Sequence, residues 1–136
     1  MADKINFELV SPERLLMSVQ AEMVVVPGAD GDFGAMPGHA PVISTIRPGV
    51  VTVYKGEGST PERLFVRGGF AEVTAKTLTL LAAEAFVLAD LDLAKIDQDL
   101  ANLQEDIRDA KDDENRTQAQ GKYDRLKEVR DAAAAA

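Results

Sequence analysis

The strongest constraint on this 136-residue chain is a change of punctuation near residue 89: all 6 prolines, and every glycine but Gly121, lie before it. Proline presets φ and removes a donor, and glycine supplies positive φ, so both collect at turns and avoid helix interiors. The first part must therefore be turn-rich and sheet-forming, while the remainder is free to run as helix. The reading divides the chain into a β domain over 1–88 and a helical hairpin over 89–136.

Short apolar runs bounded by turn residues predict strands over 5–10, 23–26, 42–46, 50–54, 64–66, 70–73, 78–81 and 86–88. In the first of these, Ile5, Phe7 and Leu9 share one face with Asn6 and Glu8 between them, the period of a half-buried strand. Pro27-Gly28, Asp30-Gly31, Pro37-Gly38 and Pro48-Gly49 reverse the chain, and Gly68-Gly69 reads as a tight strand connection. Strands this short and this frequently interrupted point to a sandwich or barrel rather than βαβ units.

Beyond Asp90 the apolar spacing becomes helical. Leu93, Ile96, Leu100, Leu103, Ile107 and Ala110 form one seam, and Ala119, Tyr123, Leu126, Val129 and Ala133 a second. Asp90 or Asp92 caps the first helix, and Asp112-Asp113-Glu114-Asn115 separates the two seams. The first arm carries ten acids against three bases over 90–114, and the second five bases against three acids over 115–136. An antiparallel pair is thus electrostatically matched.

Several functions are disfavoured by the residues themselves. With no cysteine there is no disulfide framework, thiolate metal site or cysteine nucleophile. The formal charge of -8 opposes a nucleic-acid backbone. No apolar run approaches the ~20 residues that cross a bilayer, and the first residues lack a signal-peptide pattern, so no direct membrane insertion or export is expected. His39 is the one histidine; between Pro37 and Pro41, with no Gly-x-Ser-x-Gly elbow in the chain, it fits a fixed loop better than a triad. Asp30-Gly31-Asp32 lacks the Glu that closes a calcium loop, and Gly28, Gly31 and Gly34 lack the Gly-Lys-Ser/Thr of a phosphate cradle. No metal, cofactor or catalytic residue is expected.

The segment Val26-Pro27-Gly28-Ala29-Asp30-Gly31-Asp32-Phe33-Gly34-Ala35-Met36-Pro37-Gly38-His39-Ala40-Pro41-Val42 resembles the glycine-proline signature of the epsilon subunit of F-type ATP synthases. Ser11-Pro12-Glu13, Arg47-Pro48-Gly49-Val50, Gly68-Gly69-Phe70-Ala71-Glu72-Val73 and the segment 78–82 stand where that family has its further landmarks. The resemblance implies a flattened sandwich of about ten strands followed by an antiparallel two-helix hairpin. It also implies a non-catalytic rotor subunit that couples proton passage through the c-ring to ATP synthesis, on the cytoplasmic face of a bacterial inner membrane.

On that resemblance Asp32 and Phe33 would meet the c-ring, and Met36, Pro37, Gly38, His39, Ala40 and Pro41 the gamma subunit. The hairpin would also inhibit ATP hydrolysis by extending, with Lys122, Arg125, Lys127 and Arg130 meeting acidic segments of the alpha and beta subunits. Some relatives bind ATP through Ile/Leu-Asp-x-x-Arg-Ala. Here the segment reads Ile96-Asp97-Gln98-Asp99-Leu100-Ala101, which keeps Asp97 and Ala101 of such a site. Leu100 replaces the phosphate-pairing arginine and Asp99 adds repulsion, which argues against ATP sensing.

Overall fold

Alternation in the first strand sets the core. In a computed structural model, which describes residues 3–135, β1 (Ile5–Val10) turns Ile5, Phe7 and Leu9 wholly inward while Asn6 and Glu8 stay exposed. The chain divides into two units, Met1–Val87 and Leu88–Ala136.

In the first unit β1 is followed by β2 (Leu15–Ala21), β3 (Met23–Gly28), β4 (Gly31–Ala35), β5 (Val42–Thr45), β6 (Gly49–Tyr54), β7 (Glu62–Val73) and β8 (Thr77–Val87). They form one sheet in the order β2-β1-β8-β7-β6-β3-β4, with β5 paired to β7. Neighbours run antiparallel except β1 and β8, which are parallel from Asn6↔Thr77 to Val10↔Leu81.

Eight strands are present among the described residues, where about ten were expected, because two strands each serve twice. The first half of β7 pairs with β6 and its second half with β5. The runs 64–66 and 70–73 are therefore one strand, and 78–81 and 86–88 belong to another that ends at Val87. Gly68-Gly69 is not a connection between strands but a corner inside β7, with φ of 74° and 102°. The corner shifts the phase of burial. Before it Leu64 and Val66 point inward, after it Ala71 and Val73; opposite, β8 makes the same change between Ala82 and Ala85. One continuous ladder thus folds over itself while keeping its apolar side in a single core.

Two strands lie outside the expected set. β2 mixes Ser18 and Gln20 among apolar residues and forms an edge, so its burial does not alternate cleanly. β4, Gly-Asp-Phe-Gly-Ala, has the composition of a turn yet pairs fully with β3, from Gly28↔Gly31 to Val24↔Ala35. Its partner strand supplies the order that its own residues do not.

In the second unit a one-turn 3₁₀ segment, Leu88–Asp90, precedes α1 (Leu93–Asp109) and α2 (Asp113–Ala135). Asp92 caps α1 by accepting from the Lys95 N–H at 3.2 Å, and Asp112 caps α2 by accepting from the Asn115 N–H at 2.8 Å. Most of the acidic cluster 112–115 opens α2, where Asp113 and Glu114 meet the positive end of its dipole. The helices run antiparallel, since Asp97 bonds Arg130 and Gln104 bonds Tyr123. Ile96 and Val129 are buried, and the expected seam residue Leu93 is exposed.

Candidate docking surfaces

The signature segment folds as the β3–β4 hairpin followed by a fixed loop. His39 N–H donates to the Met36 carbonyl at 3.1 Å, with Pro37 and Gly38 between them and Gly38 at φ 86°, the arrangement of a type II turn. The Gly38 N–H donates to the Ala75 carbonyl at 2.8 Å, fastening the loop to the connection between β7 and β8. Little freedom is left to lose on contact with a partner.

Asp32 lies in β4 opposite Pro27, not in the turn before it, and forms an ion pair with Arg47; both side chains are exposed. Phe33 and His39 approach with ring centroids 6.4 Å apart. His39 Nδ1–H donates to the Ala40 carbonyl at 2.6 Å, which ties the ring to the neighbouring backbone. Asp32, Phe33, His39, Ala40 and Pro41 line one open groove of about 570 Å³. Pro37 and Gly38 line a second hollow, with Lys4 and Lys76. The structure thus gathers Asp32, Phe33, His39, Ala40 and Pro41 together, with Met36 exposed nearby at the start of the turn.

Sequence reading missed a second surface. Thr45 pairs with Phe70, Phe70 with Leu81, and Leu81 with Val10. Directly paired residues share a face, so these side chains form a row across β5, β7, β8 and β1. Leu15 continues it past a slip in the β1–β2 register. Phe70 is 41% exposed, Leu15 55% and Ile43, two residues along β5, 70%. An exposed, largely apolar row on a sheet face is a candidate docking surface. No single strand contributes more than two of its residues, so only the register reveals it.

The hairpin spreads the four basic positions along α2. Arg130 is paired with Asp97 of α1, and Lys127 with Asp131 of its own helix at 3.0 Å. Those hydrogen bonds raise both pKa values above their ordinary positions. Lys122 and Arg125 are exposed. Asp97 and Ala101 sit on α1, with the Asp97 carboxylate already engaged by Arg130.

The chain thus combines a β domain, carrying a preset loop and an exposed apolar row, with a charged helical hairpin. Residues 4–87 match the family model for the β-sandwich domain of the ATP synthase delta/epsilon chain. The chain is 55% identical over 130 residues to the ATP synthase epsilon chain of Parvibaculum lavamentivorans, covering 96% of this chain and 98% of that one. It is 51% identical to that of Maricaulis maris, with 95% and 98% covered. In structure it resembles a chain of the Euglena gracilis mitochondrial ATP synthase with TM-score 0.72 at 21% identity, over 97% of this chain and 80% of that one. The chain belongs to the family of ATP synthase epsilon chains.

Proposed function

We propose that this chain acts as a non-catalytic rotor subunit, holding a central shaft to the c-ring so that ring rotation turns the shaft and drives ATP synthesis. The observation that carries this reading is the fixed loop beside the apolar row: both present a stiff surface, and His39, the one imidazole, is tied to the neighbouring backbone. Torque transmission requires stiffness rather than a reacting group. In this reading Asp32 and Phe33 meet the polar loops of the c-ring, with Arg47 beside Asp32 offering the opposite charge. Met36, Pro37, Gly38, His39, Ala40 and Pro41 meet gamma, together with the row through Phe70. The Euglena gracilis structure is of an ATP synthase with its c-ring, which supports association of this chain with an assembly of that kind. In this reading the chain is held peripherally by its partners, on the cytoplasmic face of a bacterial inner membrane; no described helix is long and apolar enough to cross a membrane.

A second role belongs to the hairpin. The shallow burial between α1 and α2 and the exposed bases of α2 favour a regulator that opens and meets acidic segments of alpha and beta, slowing ATP hydrolysis. Leu100 in place of the motif arginine, and an Asp97 already paired, support regulation without bound ATP at Asp97 and Ala101. Ending the chain after Leu88 separates the two roles. The assembled enzyme should keep ATP synthesis and lose restraint on hydrolysis, which rises severalfold in membrane vesicles; loss of assembly on this truncation contradicts the division of labour.

A further inference from the structure

The deepest part of the helical pair is also where its charges meet. Ile96 and Val129 are its buried seam residues, and their sequence neighbours Asp97 and Arg130 face each other. Arg130 Nε donates to Asp97 Oδ1 at 2.7 Å and its Nη2 to Oδ2 at 3.4 Å, a side-on fork that matches a carboxylate in plane. The Arg130 side chain is 27% exposed, against 50% for Lys127 one turn earlier. Toward the connecting turn Gln104 Nε2 donates to the Tyr123 hydroxyl at 3.2 Å, a neutral cross-helix bond, and Leu100, Leu103, Ile107 and Leu126 are half-buried.

We propose that the Asp97–Arg130 fork is the latch of the hairpin: it closes α1 on α2 at the ends away from their connecting turn and withholds the side-on edge of Arg130 from any other carboxylate. A guanidinium edge serves one carboxylate at a time. An acidic surface that recruits Arg130 must first displace Asp97, so closing and capture compete for one group. Arg130 and Lys127 are thus not equivalent, Arg130 being held by the opposite helix and Lys127 by its own. The regulatory consequence rests on the inhibitory reading of the hairpin, but the latch itself does not.

Because the chain has no cysteine, spin labels can be placed on the full chain at Ala94→Cys and Ala134→Cys, both exposed and at the ends of the helices away from their connecting turn. Distances between them are measured in Asp97→Asn, Arg130→Gln and the swap Asp97→Arg with Arg130→Asp, at low and high salt. Each single change should raise the ratio of open to closed hairpin about threefold, the range of a partly exposed pair. The swap should return it to the parent value, and salt should open the parent more than Asp97→Asn. Singles that leave the distances unchanged, or a swap no better than the singles, overturn the latch.

Hydrolysis by the assembled enzyme is read alongside. Asp97→Asn should deepen inhibition by freeing Arg130, and Arg130→Gln should relieve it. Distances that respond while hydrolysis does not support the latch and overturn the inhibitory reading. Hydrolysis that responds while distances do not overturns the latch and leaves that reading standing.

Discussion

Gly69→Ala should leave almost no folded protein. A Cβ at this position falls 1.7 Å from the Leu81 carbonyl oxygen and 3.1 Å from the Ala82 Cα, both of the partner strand, so no side-chain rotation relieves it. The residue also holds φ at 102°, which non-glycine residues rarely adopt. Relief requires moving β7 away from β8 at the corner on which the sheet folds over. The cost should exceed ~4 kcal/mol, a large part of the ~5–15 kcal/mol that holds a domain of this size. Gly68→Ala is the informative control: φ there is 74° and the nearest atom is the Ala83 Cβ at 3.3 Å, so a loss of about 1–2 kcal/mol is expected. Thermal unfolding and soluble yield read both. A Gly69→Ala protein melting within a few degrees of the parent contradicts the corner as described.

Ile43→Asp should produce the opposite pattern, a folded subunit that does not dock. Ile43 is 70% exposed, so its replacement should change stability by no more than about 0.5 kcal/mol. In a docked complex the new carboxylate would be buried against the row through Phe70 with no partner, and losing an anchor of this kind costs about 2 kcal/mol or more, near thirtyfold in affinity. Thr60→Asp, also exposed but away from the row, should bind as the parent does. Retention of Ile43→Asp on assembled enzyme through purification, at parental stoichiometry, would remove the apolar row from the interface.

The parts of the fold legible in sequence were those written in local chemistry. Ile5, Phe7 and Leu9 announce β1 by alternation, Pro37-Gly38 announces a turn by preset and positive φ, and the helical seams announce two helices. What stayed hidden depends on partners far along the chain. β4 looks like a turn because its glycines and Asp32 carry little strand preference of their own, and β3 imposes the order. Gly68-Gly69 looks like a connection because two glycines give the same local signal at a corner as at a loop; the strand continuing on both sides distinguishes them. The loop half of the candidate site was visible through its signature, whereas the apolar row needs the parallel pairing of β1 with β8, about which local sequence is silent. The Asp97–Arg130 fork joins residues 33 apart and requires the register of α1 on α2, although the seam spacing already placed both residues beside buried positions.

Purification of the tagged full chain from detergent-solubilised membranes, with quantitative mass spectrometry of what accompanies it, tests the central claim most directly. The account predicts recovery of gamma, the c-ring subunit and the catalytic-head subunits in fixed proportion, with Ile43→Asp recovering far less of each. Recovery of none of them, from membranes in which an assembled ATP synthase is active, would contradict it.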